Sequence, residues 1–166
     1  MAKVTLHATI FGEDGIKTRD YETALIPDAK NQEMQVINLY PDKTYQKIEG
    51  FGAALTESAG YALSRMSKEN QKKVVDAYYG KDGIGYTIGR VHMDSCDFSA
   101  GIYCSDNTPD DFELKDFDPA RSEKYVLPLV KMAQEEAGRP IGMMLTPWSP
   151  PEWMKTNHSR LHGGEL

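Results

Sequence analysis

Hydrophobic and polar positions follow two different rhythms along the chain. From Val4 to Phe11 and from Ile16 to Ile26, apolar and polar residues alternate as in half-exposed β-strands, and Gly12-Glu13-Asp14-Gly15 separates the two runs. An Asp-Gly pair between extended runs is a strong hairpin signal, because Asp and Gly tolerate the backbone angles of a tight turn. The stretch from Gln35 to Tyr40 alternates again. Residues 1–44 are therefore predicted to form a small antiparallel sheet, or strands that join a sheet completed elsewhere.

From residue 45 onward, strand-like runs are separated by segments with helical spacing. Ser67 and Gly80 bound the first predicted helix, and Ser122 and Gly138 bound the second, since serine is a preferred residue at helix starts and glycine at helix ends. Connections that contain a helix join parallel strands, so the sequence predicts a parallel sheet covered by helices. The predicted strands are residues 47–55, 86–93 and 141–145.

The spacing of these strands is typical of an incomplete (β/α)8, or TIM, barrel. Strand starts lie 39 residues apart (47 to 86) and then 55 residues apart (86 to 141), whereas a crossover unit needs at least about 30 residues. About three units are present, while a complete barrel has eight strands and takes about 250 residues. We therefore expect an α/β fold in which residues 45–166 form the first portion of a TIM barrel.

Composition narrows the classes of partner. The 166-residue chain has a formal net charge of −6 and a pI of about 5.2, which argues against nucleic acid or an anionic membrane surface, because both favour basic patches. No apolar run approaches the roughly 20 residues of a membrane-spanning helix. The N-terminus lacks the apolar core and cleavage site of a secretory signal. We expect a cytoplasmic bacterial protein, secreted only if a signal was removed, with Cys96 and Cys104 as free thiols.

Ionisable and aromatic residues cluster where the predicted strands end. Arg90, Asp94 and Asp97 lie at the end of the second barrel strand, where carboxylates can accept hydrogen bonds from sugar hydroxyls and a guanidinium can hold a carboxylate. Trp148 follows the third strand, and an indole face packs well against the C–H face of a pyranose ring. Each feature has a structural alternative, either solvated acids that cap a strand end or an indole packed in a core. Trp153 is better explained as an anchor for its loop.

Other types of site find little support in the sequence. His92, Asp94 and Asp97 could be metal ligands, but no further Cys, His or acid lies at a recognisable ligand spacing, so we expect neither a metal nor another cofactor. His92 is instead expected to be a hydrogen-bonded histidine in the barrel interior or in the wall of a site. The Gly50-Phe51-Gly52 turn lacks a phosphate-binding pattern, and the chain contains no G-x-S-x-G elbow.

Five blocks of sequence, taken in order, resemble glycoside hydrolase family 30, the glucosylceramidase family. They are residues 48–59, 83–91, 93–99, 106–112 and 146–157. The resemblance implies a TIM barrel with the N-terminal strands in a side β-sandwich, and hydrolysis of β-glucosides, either glucosylceramide-like substrates or β-glucans. The chain departs from the family at two places. His92 stands where the family often has proline, and Gly52-Ala53 stands where many members have two glycines.

The resemblance also implies roles by position. Asp97 matches the aspartate that hydrogen-bonds the sugar in the cleavage subsite, Trp148 matches the tryptophan that borders this subsite, and Arg90 matches an arginine that supports the catalytic carboxylates. The family retains anomeric configuration and uses two glutamates about 5–5.5 Å apart, an acid/base after the fourth barrel strand and a nucleophile after the seventh. Both positions would lie beyond Leu166. We therefore assign no catalytic residue and expect the 166 residues alone to be inactive.

Two other interpretations are open at this point. A non-catalytic carbohydrate-binding module could use Asp97 and Trp148 if the three-stranded core closes on itself. A self-contained flavodoxin-like protein would need a phosphate-binding loop after its first strand, and Leu55-Thr56-Glu57-Ser58 matches such a loop poorly. The leading interpretation is an N-terminal fragment of a retaining β-glycosidase whose partner is a small carbohydrate or a glycolipid.

Overall fold

The computed structural model describes residues 3–25, 27 and 37–166, in two compact units, Met1–Gln46 and Lys47–Leu166. The first unit contains an antiparallel hairpin of β1 (Lys3–Gly12) and β2 (Gly15–Ala24). Its turn ends at Gly15, whose φ of 103° is one that residues with a side chain rarely adopt. The predicted hairpin is confirmed.

The predicted strand from Gln35 to Tyr40 is wrong for its described part. Residues 37–40 have no regular secondary structure, and their large side chains are exposed to solvent. A strand forms by pairing with another strand, and in the described part of the first unit the sheet contains β1 and β2 alone. Alternation of apolar and polar residues is therefore not sufficient to form a strand at residues 37–40, because these residues pair with no strand in the described part of the unit. Gln35, Val36 and also Ile26 lie outside the described residues.

The second unit is built on a three-stranded parallel sheet in the order β3-β4-β5. Each strand overlaps a predicted one, and because the pairing is parallel, the carboxyl ends of all three lie at the same edge of the sheet. β3 is much shorter than the predicted run of residues 47–55. At Gly52 its backbone approaches β4 so closely that a side chain there would overlap the carbonyl oxygen of Ile88. The strands are β3 (Gly52–Leu55), β4 (Ile88–Met93) and β5 (Gly142–Pro147).

Three helices accompany this sheet, and two of them were predicted. The α2 helix is capped by Ser67, whose Oγ accepts the N–H of Asn70, and it ends at Gly80 as predicted. The α3 helix begins two residues before Ser122 and ends at Gly138, which has a φ of 60°. The α1 helix was not predicted. None of the described helices is long and apolar enough to cross a membrane. Their bounds are α1 (Glu57–Ser64), α2 (Lys68–Tyr79) and α3 (Ala120–Ala137).

The helices cover one face of the sheet and leave the other face open. Side chains alternate between the two faces of a strand, and the covered face meets a buried core. On the opposite face, Ala54, Arg90 and Met144 are neighbours in register and are exposed. They line an open hollow of about 410 Å³. The buried core residues are Leu55, Leu63, Val75, Tyr79, Leu129, Ala133 and Ile141.

The outer edge of β5 is unpaired in the described part of the chain, and we therefore expect the chain to self-associate. In the described part of the chain β5 pairs with β4 alone, and Leu145 on β5 is 65% exposed. Unpaired backbone groups beside apolar side chains are a template for edge-to-edge association. We expect sedimentation velocity to show concentration-dependent self-association that Leu145→Lys reduces. Leu161→Lys, at an exposed leucine outside the sheet, is the matched control, and equal reduction by both variants would contradict a role for the edge.

Candidate functional site

Two loops at the carboxyl edge of the sheet hold the predicted sugar-binding residues. The aspartate loop, residues 94–105, follows β4 and presents Asp97, whose exposed carboxylate accepts no hydrogen bond from the residues that the structure describes. The tryptophan loop, residues 148–160, follows β5 and begins with Trp148, which is 44% exposed. The guanidinium of Arg90, on β4, lies 5.2 Å from the centroid of the Trp148 ring, within the range of a cation–π contact. Arg90 and Trp148 are thus brought together, and Asp97 lies on the neighbouring loop.

Among the described residues, Arg90 makes no ion pair with Asp94 or Asp97. In the described part of the chain, arginine–carboxylate pairs are made by Arg121 and Arg160, and not by Arg90. β4 ends at Met93, and Asp94, the next residue, adopts a φ of 58°. Arg90 lies on the open face of the sheet and donates no hydrogen bond to the residues that the structure describes.

Asp94 holds the aspartate loop and connects it to the tryptophan loop. Its Oδ1 accepts the N–H of Ser105 at 2.8 Å, and its Oδ2 lies 3.4 Å from Nη1 of Arg160. Arg160 is buried, and its Nη2 donates to the carbonyl of Ser149 at 2.9 Å. The Asp94–Arg160 pair therefore fixes the two loops relative to each other. Cys104, a free thiol like Cys96, also contacts Oδ2 of Asp94.

His92 uses both of its ring nitrogens inside the protein. Its Nε2 accepts the backbone N–H of Glu57 at 3.1 Å, and its Nδ1 lies 2.6 Å from the carbonyl oxygen of Asp94. Because Nε2 is the acceptor, the geometry assigns the ring proton to Nδ1, which donates to that carbonyl. His92 is buried, so the prediction of a hydrogen-bonded histidine is confirmed. Among the described residues, no group of three or more Cys, His, Asp and Glu side chains could hold a metal ion.

A buried ion pair joins the starts of α1 and α3 beneath the aspartate loop. Glu57 is 1% exposed, and its two carboxylate oxygens accept from Nε and Nη2 of Arg121 at 2.9 and 3.1 Å. Its Oε2 also accepts the N–H of Ala100 at 2.8 Å. Burial raises the pKa of Glu57, but the hydrogen bonds from Arg121 and Ala100 outweigh it and hold the pKa below its ordinary value of 4.5. Sequence analysis missed this pair, because its members are 64 residues apart.

The tryptophan loop is held in shape by its own polar side chains. Asn157 Nδ2 donates to the carbonyls of Leu161 and Gly163 at 2.9 and 3.1 Å. The backbone N–H of Glu152 donates to Asn107 Oδ1 at 3.2 Å, which attaches this loop to the segment before α3. Trp153 is half-buried and lines a cavity of about 190 Å³ against that segment, in agreement with its predicted role as an anchor.

The chain is similar to known glycoside hydrolases in sequence and in structure. Residues 48–166 match the glycosyl hydrolase family 30 TIM-barrel domain. Lysosomal acid glucosylceramidase of Mus musculus is 39% identical over 129 residues, which are 77% of this chain and 25% of that protein. The structure of SrfJ from Salmonella typhimurium matches with a TM-score of 0.76 and 29% identity, over 89% of this chain and 33% of that one. The endo-β1,6-glucanase BT3312 matches with a TM-score of 0.62 and 30% identity, over 70% of this chain and 25% of that one.

The family match covers the part of the chain that carries the parallel sheet, the helices and both loops. The chain spans about a quarter of the length of the curated relatives it matches. The family match extends over more than half of the chain, and the sheet that it covers has the parallel strands and flanking helices of a partial barrel. The predicted fold, the N-terminal part of a TIM barrel, is confirmed, and the chain belongs to glycosyl hydrolase family 30.

Proposed function

We propose that this chain forms about half of the sugar subsite of a retaining β-glycosidase. In this proposal Asp97 and Trp148 bind the sugar, and Arg90 supports the catalytic carboxylates. The observation that carries the proposal is the stack of Arg90 on Trp148 at the carboxyl edge of a parallel sheet, next to the loop that presents Asp97. This edge is where TIM-barrel enzymes bind their substrates.

The two sugar-binding side chains suit different surfaces of a pyranose. The carboxylate of Asp97 is exposed and has no partner among the described residues, so it can accept hydrogen bonds from two sugar hydroxyls, and bonds to a charged acceptor are strong. Arg90 lies over the Trp148 ring, and the indole is still 44% exposed. The face of the indole opposite the guanidinium can therefore pack against the C–H face of a sugar ring.

Two acids at this edge, Glu57 and Asp94, are already engaged in ion pairs, so they do not act as the catalytic pair in this proposal. Glu57 is paired with Arg121, and Asp94 is paired with Arg160. A retaining hydrolase needs one carboxyl group to attack the anomeric carbon and another to protonate the leaving oxygen. The family resemblance assigns these roles to glutamates after the fourth and seventh strands, whereas the described barrel sheet has three. We propose that hydrolysis requires those further strands.

The names of two relatives indicate the class of sugar. One relative is a glucosylceramidase and another is an endo-β1,6-glucanase. Both names describe enzymes that act on glucose units, attached to a lipid in one case and to a further sugar in the other. We therefore propose a β-linked glucosyl unit as the group bound by Asp97 and Trp148, with either a glycolipid or a β-glucan as the complete substrate.

Calorimetric titration of the 166-residue chain with methyl β-glucoside tests this proposal. We expect saturable binding that Asp97→Ala and Trp148→Ala each weaken at least about tenfold, the effect of losing roughly 1.4 kcal/mol of contact energy. Asp82→Ala, at an exposed acid outside both loops, serves as the matched control and should bind like wild type. The same chain should not hydrolyse an aryl β-glucoside. Turnover that Asp97→Ala abolishes would contradict the assignment of catalysis to further strands.

A further inference from the structure

Asp97 is followed by two residues, Phe98 and Ala100, whose backbones are fixed to the start of α1. The carbonyl of Phe98, the next residue, accepts the backbone N–H of Ser58 at 3.0 Å and the Oγ–H of the same serine at 2.7 Å. Two residues later, the N–H of Ala100 donates to Glu57 Oε2 at 2.8 Å. The segment after Asp97 is therefore anchored by two neighbouring residues, Glu57 and Ser58.

Glu57 is itself held by contacts with three residues, His92, Arg121 and Ala100. Its backbone N–H donates to His92 at the end of β4, and its carboxylate receives the two-pronged contact of Arg121 from α3. The guanidinium of Arg121 lies 4.7 Å from the ring centroid of Tyr103, which belongs to the aspartate loop. The carboxylate of Glu57 is thus the point where α1, α3 and the aspartate loop meet.

The direction of the Asp97 carboxylate depends on this backbone. In the part of the chain that the structure describes, that carboxylate has no hydrogen-bond partner, so its own contacts do not orient it. A buried ion pair is poor evidence for stability alone, because an apolar pair of similar volume often stabilises a fold as well. An apolar pair, however, has no acceptor for the N–H of Ala100. The carboxylate oxygen of Glu57 that accepts the N–H of Ala100 therefore links Glu57 to the aspartate loop.

We propose that Glu57 is a positioning residue for Asp97, acting through the Ala100 N–H and supported by the contact of Ser58 with Phe98. This inference rests on the proposed function, because it assumes that Asp97 binds the sugar. Glu57 does not touch the sugar in this proposal. It sets the place of the loop from which Asp97 reaches the sugar, and such placement matters because displacement of a binding group by about 1 Å can lower activity about 100-fold.

Glu57→Gln tests the proposal, because it keeps the shape of the side chain but replaces one of its two acceptor oxygens by an NH2 donor, so that the contacts with Arg121 and Ala100 cannot all be kept. We expect the affinity for methyl β-glucoside to fall about tenfold and hydrogen exchange of the Ala100 amide, followed by NMR, to accelerate by a similar factor. Exchange of the Val91 amide, within β4, is the internal reference and should change little. Ile141→Val, which trims a buried core residue, is the control for general destabilisation and should keep wild-type affinity.

The outcomes separate positioning from stability and from failure of the proposed function. Equal acceleration at Ala100 and Val91 would overturn the proposal, since it reports global loosening. Faster exchange at Ala100 with unchanged glucoside affinity would overturn it as well. If the wild-type chain binds no glucoside, the proposed function fails, and the Ala100 exchange rate still decides whether Glu57 orders the loop. Arg121→Lys replaces the two-pronged contact by a single donor, and it should show smaller shifts in the same direction if Glu57→Gln does not fold.

Discussion

Replacement of Glu57 by alanine is expected to lower the free energy of unfolding by about 3 kcal/mol. The substitution leaves the Arg121 guanidinium without its carboxylate partner and the Ala100 N–H without its acceptor. Breaking a buried ion pair typically costs about 3–5 kcal/mol, and we expect the lower end because the Arg121 side chain is 41% exposed and water can solvate it. Urea unfolding followed by circular dichroism measures the change.

Glu69 provides the matched control for this substitution. Its carboxylate pairs with Lys73 on the surface of α2 and is 76% exposed, so Glu69→Ala should change the free energy of unfolding by about 0.5 kcal/mol or less. A loss as small as this at Glu57 would contradict the importance of the buried pair. A loss as large at Glu69 would show that helix-start acids, and not burial, determine the effect.

The lowered pKa of Glu57 predicts how the free energy of unfolding changes at acid pH. The pKa of Glu57 is below 4.5 in the folded chain and close to that ordinary value in the unfolded chain. The unfolded state therefore binds more protons between the two pKa values, and stability rises with pH across that interval. The contribution of Glu57 is fully present above about pH 4.5 and is lost as pH falls through the lowered pKa. Glu57→Gln should remove this part of the acid dependence, and an unchanged acid profile would contradict the account.

Gly52→Ala is the second substitution with a large expected effect. Gly52 pairs with Ile88, and an added Cβ would overlap the Ile88 carbonyl oxygen. The obstacle is backbone and not a flexible side chain, so β3 must move away from β4. We expect a loss of about 3 kcal/mol in the free energy of unfolding, at the upper end of overpacking effects. Thermal unfolding measures this loss.

Gly101→Ala is the matched control for Gly52→Ala. Nothing lies within 4 Å of a Cβ added at Gly101, and its φ is not in the positive range. We expect a change within about 0.5 kcal/mol there. Similar losses at Gly52 and Gly101 would show that the contact between β3 and β4 is not the cause.

Features with local sequence signals were the ones that could be predicted. The β1–β2 hairpin follows from a turn that ends at Gly15, and the bounds of α2 follow from Ser67 and Gly80, because each signal concerns backbone angles or hydrogen bonds within a few residues. The α1 helix has only a weak signal. Its eight residues include serines, alanines and a glycine, so it shows no apolar stripe, and its cap at Thr56 is its clearest mark.

The contacts that hold the candidate site could not be predicted in the same way. Glu57 and Arg121 are 64 residues apart, and Asp94 and Arg160 are 66 residues apart, so neither pair has a characteristic spacing. The positive φ of Asp94, directly after β4, has no signal in the sequence either, because it is not a glycine. The resemblance to the family identified Asp97, Trp148 and Arg90 as candidates. Their roles in sugar binding remain predictions.

A ¹H–¹⁵N NMR titration of the 166-residue chain with methyl β-glucoside is the most direct test of the central claim. The account predicts saturable shifts of the Asp97 amide and of the Trp148 indole N–H, with the Trp153 indole signal, identified by its loss in Trp153→Phe, unchanged. Asp97→Ala should move the midpoint of the Trp148 shifts to at least about tenfold higher glucoside concentration. Absence of any shift, or shifts confined to β1 and β2, would contradict the claim that these two loops form part of a sugar subsite.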